Sequence, residues 1–277
     1  YNGYGQLGHG HTDNKGYPVK IPQEYFKNRK IIDIAATGNS QSNVYFRTED
    51  DLIFGCGDNG NGSLGVGDTT PHYRPVRMKV GASDYWDPKA NGGIACWQCA
   101  GYGDNIRFMI LDGNGYLWHT GYNGYGESTD GTTTNKSYLT KSVVSPAGNI
   151  VDFWLCHWNS YCTTFMRHAN GDTYVSGHSG GYYLAGTGST GSVTSGPQNL
   201  SKIKNLQDVR IYCTYSDVGH VWFLMDNGKI LEQGYYGPDS DTIWRGNPVA
   251  YTTSNWNGED GTYMPYHTFL PAGEKPV

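Results

Sequence analysis

A short apolar run that closes on a glycine recurs four times along the chain, and its spacing constrains the fold more than any other feature. The runs are EDDLIFGCG ending at Gly57, GNGYLWHTG at Gly121, ANGDTYVSG at Gly177 and DNGKILEQG at Gly234. These marker glycines lie 64, 56 and 57 residues apart. Each run follows another apolar stretch: NVYFR (43–47), IRFMIL (106–111), TTFMR (163–167) and HVWFLM (220–225). Two such stretches joined by a Gly/Asn/Asp turn read as a β-hairpin. Further upstream stand KIIDIA (30–35), NIVDFW (149–154) and NLQDVR (205–210), which share Asp33, Asp152 and Asp208 at one repeat position. Downstream of the glycine a proline recurs as Pro18, Pro75, Pro197 and Pro248, with Leu139 in that place in the third unit.

Each unit therefore carries three or four short strands and a Gly-rich loop, the size of one propeller blade. A blade cannot bury both faces alone, so neighbours must stack. The period within a unit is two rather than 3.6, which excludes a helical solenoid. Composition agrees: 40 Gly and 23 Tyr with only 16% charged residues favour strands and tight turns over long helices. The expected fold is all-β, a β-propeller of blades of about 57 residues, with four complete repeats and partial ones at the ends. Residues 1–277 are expected to form one propeller domain or a fragment of one, with blade boundaries near 29, 81–92, 148, 204 and 253.

The loop after the marker glycine resembles the repeat of the regulator of chromosome condensation family, in outline Gly-x-Asn-x-x-Gly-Gln-Leu-Gly followed by Pro and an aliphatic residue. The first unit has Asn2, Gly5, Gln6, Leu7 and Gly8, then Pro18 and Ile21. The second has Gly57, Asn59, Gly62, Ser63, Leu64 and Gly65, then Pro75 and Met78. The third keeps Gly121, Asn123 and Gly126 but loses Leu-Gly; the fourth keeps Gly177, Leu184 and Pro197; the fifth keeps little beyond Gly234 and Pro248. The resemblance implies a propeller, usually seven-bladed, closed by strands from both chain ends. The opening YNGYGQLG is then the tail of a unit, and HTFLPAGE (267–274) resembles a hairpin start. Two expectations stay open: that these two segments complete one blade and close a smaller ring, or that the chain is truncated.

Several chemistries have weak signals with better structural explanations. Net charge is −5, and 20 basic residues form no dense run, so nucleic acid is not an expected partner. No run of 18 apolar residues exists, so no membrane insertion is expected. Six cysteines are too sparse for a disulfide framework, and Cys96-x-x-Cys99 lacks a second ligand pair, so no metal is expected. Gly55-x-Gly57-x-x-Gly60 has no helix after it, and no cofactor is expected. Gly177-His178-Ser179-Gly180-Gly181 fits a hydrolase elbow, but Ser179 stands where other units have Asn59 and Asn123. Asp112-Gly113-Asn114-Gly115 starts like a calcium loop and falls where the repeat demands a hairpin turn. Recurrence marks Asp33, Asp152 and Asp208 as structural, hydrogen-bonded to loop amides.

What remains is an aromatic loop surface. Tyr4, Tyr122, Tyr125, Tyr182, Tyr183, Tyr235, Tyr236 and Trp244 are the candidate partner-binding residues. Tyr and Trp give large contact area with few rotors and a polar tip, which suits recognition of proteins or sugars. The competing role for each is packing between blades. The expected function is a non-enzymatic binding module, with no catalytic residue assigned. The leading reading is a virion or extracellular surface protein, a phage tail fibre or adhesin, recognising a host glycan or protein, mounted on other virion proteins or as a homo-oligomer. The alternatives are a cytoplasmic regulator docking on a partner such as a small GTPase, and a secreted propeller-type enzyme inhibitor.

Overall fold

The computed structural model describes residues 1–234 apart from 39–40, 145–146, 159–160, 180–184, 186, 188–190 and 214–218. Pro248, the 267–274 segment and five of the candidate aromatic residues (Tyr182, Tyr183, Tyr235, Tyr236 and Trp244) lie outside the described residues. The described chain holds strands and one short 3-10 helix, Gln23–Phe26.

Four antiparallel sheets follow one another along the sequence. The first blade runs β1 (Ile31–Gly38), β2 (Ser42–Thr48), β3 (Ile53–Gly57), β4 (His72–Arg77). The second is β5 (Ile94–Ala100), β6 (Arg107–Asp112), β7 (Leu117–Gly121), β8 (Lys136–Lys141). The third is β9 (Ile150–Trp158), β10 (Tyr161–His168), β11 (Asp172–Gly177), β12 (Val193–Lys204). The fourth shows β13 (Leu206–Cys213), β14 (Gly219–Met225) and β15 (Ile230–Gly234). Each sheet is a meander in sequence order, and the first strands β1, β5, β9 and β13 lie against one another in turn. Sheets stacked face to face with their first strands gathered on one side are the blades of a β-propeller.

The four marker glycines end the third strand of each blade. There the chain must turn out of the sheet, and Gly57, Gly121 and Gly177 adopt φ of +117°, +97° and +116°. A Cβ at Gly57 would sit 2.2 Å from the Ser42 carbonyl, so only glycine fits. Asp33, Asp152 and Asp208 do not bind loop amides as expected. Each sits at a β-bulge in its first strand and accepts the next residue's N–H: Ile34 at 2.9 Å, Phe153 at 2.9 Å and Val209 at 2.8 Å. Beside the bulge the carboxylate gives that amide a side-chain acceptor. The second blade has the same bulge with Cys96 at the aspartate position.

The core lies between blades. Tyr45, Ile53, Leu64 and Met78 of the first blade meet Phe108, Ile110 and Leu139 of the second. Met109, Leu111 and Leu117 meet Ile150, Phe153 and Met166 of the third. Trp154, Phe165 and Val175 meet Val209, Val221, Phe223 and Leu231 of the fourth. Each fully buried large side chain contributes about 1.5–3 kcal/mol. Phe26 of the short helix covers the opposite side of the first blade through Phe46 and Phe54.

Polar ties cross each blade junction near the first strands. Trp97 donates its indole N–H to Asp33 at 2.9 Å, and Arg47 donates to the Ile94 carbonyl at 3.1 Å. Gln98 donates to the Phe153 carbonyl at 2.8 Å and accepts from the Leu155 N–H at 2.9 Å. Arg167, at the repeat position of Arg47, donates to the Leu206 carbonyl at 2.8 Å. These bonds fix how one blade sits on the next and so hold the loop face in one geometry.

Candidate functional site

The loop after each marker glycine is anchored by one buried asparagine. Asn2, Asn59 and Asn123 are fully buried. The side-chain oxygen of each accepts the N–H five residues on: Leu7 at 2.8 Å, Leu64 at 2.9 Å and Ser128 at 2.9 Å. The side-chain amide of each donates to the carbonyl nine residues on: His11 at 2.9 Å, Asp68 at 3.0 Å and Thr132 at 2.9 Å. Satisfying several backbone groups at once makes the residue hard to replace, since each orphaned buried group costs about 1–3 kcal/mol. The third unit lost its Leu-Gly yet keeps the loop path. Thr129 takes the left-handed conformation of Gly65, with φ of 63° against 65°, and its N–H still bonds the Gly126 carbonyl.

Within this frame, loop 122–129 repeats the polar logic of loop 58–65 with larger groups. In the first blade Asn43 donates to Ser63 Oγ at 2.7 Å. In the second, the same two positions hold Arg107 and Glu127, an ion pair at 3.2 Å with both side chains buried. Burial lowers the Arg107 pKa, and Glu127 opposes that shift. Glu127 Oε2 also accepts the Tyr125 N–H at 2.8 Å, as Gln6 accepts the Tyr4 N–H at 3.0 Å in the first unit. The Arg107 guanidinium lies 5.6 Å from the centre of the Tyr122 ring.

Above this pair lies an aromatic patch at the junction of the second and third blades. Tyr122 and Tyr125 are 6.4 Å apart between ring centres. Tyr125 stands edge-on to Tyr161 (5.4 Å, 70°) and to His178 (4.3 Å, 78°). Tyr161 and His178 stack in parallel at 4.0 Å and 11°. All four are half-buried. Burial pushes the His178 pKa down to about 4, so the imidazole is neutral at pH 7. Burial raises the Tyr125 hydroxyl, with Tyr161 and then Glu127 adding to the shift.

Of the described candidates, the structure thus brings Tyr122 and Tyr125 together and places Tyr4 in the equivalent loop of the first unit. Tyr125 also packs across the blade junction, which is the competing role expected for it. Tyr161 and His178 were not among the candidates. Their signal was hidden in the register: Tyr161 starts β10 where Asn105 precedes β6, and His178 follows its marker glycine as Tyr122 does. Arg107 and Glu127 were missed as well, although a matched swap of Asn/Ser for Arg/Glu at two repeat positions marks a pair. Residues of the weaker motifs take structural positions. Asp112 accepts the Asn114 and Tyr116 amides and the Trp118 indole in a hairpin turn. Ser179 is fully buried. Cys56, Cys96, Cys99, Cys156 and Cys162 are unpaired, and burial pushes four of them (Cys56, Cys96, Cys99 and Cys156) up to about 12.

The fold and its Asn-anchored loops define the class: a β-propeller chain with blades like those of the regulator of chromosome condensation. The sequence model of the regulator of chromosome condensation (RCC1) repeat matches residues 1–42. Among solved structures, human WBSCR16 superposes with a TM-score of 0.60 at 18% identity, over 84% of this chain and 55% of that one. Yeast RCC1 (Prp20), solved bound to Kap60, gives 0.52 at 18% identity, over 77% of this chain and 44% of that one. Prp20p from Saccharomyces cerevisiae, whose binding to Gsp1p and histones is described with its structure, gives 0.52 at 15%, over 86% and 58%. The chain spans about half the length of these proteins. No helix among the described residues is long and apolar enough to cross a membrane.

Proposed function

We propose that this chain is a non-enzymatic propeller module that docks a partner protein on the loop face where its second and third blades meet. The observation that carries the reading is the half-buried Tyr122–Tyr125–Tyr161–His178 patch, held rigid from below by Asn123 and the Arg107–Glu127 pair. Rigid aromatic residues with polar tips are the usual energetic centres of protein interfaces. Protein partners of the similar propellers support the same choice, and favour a regulator over a host-surface adhesin. A small GTPase is the partner class we take first. Tyr4 is a further proposed contact, as are Tyr182, Tyr183, Tyr235, Tyr236 and Trp244, which lie outside the described residues.

Surface plasmon resonance with nucleotide-free and GDP-loaded small GTPases tests this. The expected result is saturable binding that Tyr125→Ala weakens by about tenfold or more. Binding that ignores the substitution moves the interface elsewhere. Faster nucleotide release on the propeller would end the non-enzymatic reading, and glycan-array binding with no protein binding would restore the adhesin.

A further inference from the structure

We infer that the corner formed by Tyr125, Tyr161 and His178 receives a cationic side chain, arginine or lysine, from the docked protein. This rests on the docking role proposed above and names the chemistry that the site selects. Tyr125 stands at 70° and 78° to a parallel Tyr161–His178 stack, so ring faces meet at a corner rather than forming a flat apolar sheet. Aromatic faces carry negative potential and hold cations within about 6 Å of the ring centre. The chain already uses the pairing beside the corner, where the Arg107 guanidinium lies over Tyr122.

The charge beneath the patch has a direction. Arg107 sits under Tyr122 and bonds its carbonyl, while the Glu127 carboxylate bonds the Tyr125 N–H. The positive end of the buried pair is therefore under Tyr122 and the negative end under Tyr125. Burial raises the Tyr125 hydroxyl, Tyr161 adds to that, and Glu127 adds a further rise. At Tyr122 burial raises the hydroxyl, with Glu127 adding to the rise and Arg107 opposing it. His178 adds no positive charge at pH 7, because burial holds it near pKa 4. A neutral, proline-rich or sugar ligand would gain nothing from this polarity; a cation gains from the rings and from the carboxylate together.

The test is a selection of random twelve-residue peptides on the folded chain, followed by affinity measurements on the enriched sequences. Tyr125→Leu removes the ring while keeping an apolar side chain, and Tyr125→Phe restores the ring. Thermal melts first establish that both variants fold. If Tyr125→Leu does not fold, Tyr161→Leu and Tyr161→Phe replace them. The expected result is peptides with an essential Arg or Lys, whose affinity falls about tenfold in the Leu variant and returns in the Phe variant. Replacing that Arg by citrulline should cost a similar factor, and acidifying from pH 7 to pH 4 should weaken binding further as His178 protonates. Peptides that need the Tyr125 ring but tolerate citrulline would overturn the cation while leaving the docking role intact. Peptides that bind independently of Tyr125, or no enrichment at all, would overturn both.

Discussion

Loops 58–65 and 122–129 have the same backbone and different contents. Both start from a buried asparagine and place glycine at Gly62 and Gly126. Both close on a left-handed residue, Gly65 in one and Thr129 in the other. At two matching positions the first has Asp58, which is buried, and Asn61, which reaches across to the Asp104 carbonyl at 2.8 Å. The second fills them with Tyr122 and Tyr125, and Tyr125 reaches across to Tyr161. Beneath them Asn43–Ser63 becomes Arg107–Glu127. The backbone frame is thus set by a few groups that face inward, and what is presented to solvent is free to change. Polar reach makes a junction; aromatic reach makes a junction that also leaves half-buried rings at the surface.

The largest effect should come from breaking the second loop's buried pair. Glu127→Gln leaves a fully buried guanidinium without its counter-charge and should cost about 3–5 kcal/mol in urea unfolding. The double change Arg107→Asn with Glu127→Ser installs the first loop's pair and should recover most of that loss. If the double variant is no better than the single one, the two loops do not share interchangeable polar frames.

Acid should separate the blades next. His119 of β7 is fully buried, and among the described residues neither of its ring nitrogens is hydrogen-bonded. Burial lowers its pKa to about 4. A histidine depressed in the folded state favours folding above its unfolded pKa and loses that contribution as pH falls. Stability should therefore drop between about pH 6.5 and pH 4 by roughly 2–3 kcal/mol. The first blade has Gly55 at this position, so His119→Gln should flatten the acid limb of the stability profile. An unchanged limb would put the acid sensitivity elsewhere.

Smaller effects test the anchor. Asn59→Ala and Asn123→Ala should each cost about 1–3 kcal/mol, and by similar amounts, because their bonds match. A much larger loss at Asn123 would mean that the aromatic loop depends on its anchor more than the polar one. The smallest effect is a near-cancellation: Thr129→Gly relieves a non-glycine left-handed residue but empties a buried position whose hydroxyl donates to Ser142 Oγ at 3.2 Å, so thermal melts should show a net change within about 1 kcal/mol. Gly65→Thr should destabilise by more, about 1–3 kcal/mol, because a Cβ there would already lie 3.3 Å from Thr120 Cγ2 in a buried loop.

Much of the fold was legible because the marker glycines, the paired apolar runs and the Asn-Gly loops recur in phase. Each is a local signal: positive φ, alternation, a side chain that bonds its own loop. Third-unit loop geometry was not legible, because Ser128-Thr129 erases the motif while Thr129 still adopts the glycine conformation. The aspartates were read as structural, but their bulges depend on cross-strand register that no single segment shows. The candidate site was half legible. Tyr122 and Tyr125 stand out in YNGYG, whereas Tyr161 and His178 reach them only because one blade is stacked on the next.

The asparagine anchor also acts as a ruler. Its contacts fall five and nine residues ahead in all three loops where it is described. In two of them a second asparagine twelve ahead, Asn14 or Asn135, accepts the anchor's own N–H, at 2.7 and 2.9 Å. A residue inserted between anchor and contact would put every later bond out of step, whereas a substitution at an outward position disturbs none of them. The lineage of such a loop is therefore open to point replacement and closed to changes in length. Its binding chemistry can be rewritten residue by residue while its outline stays fixed.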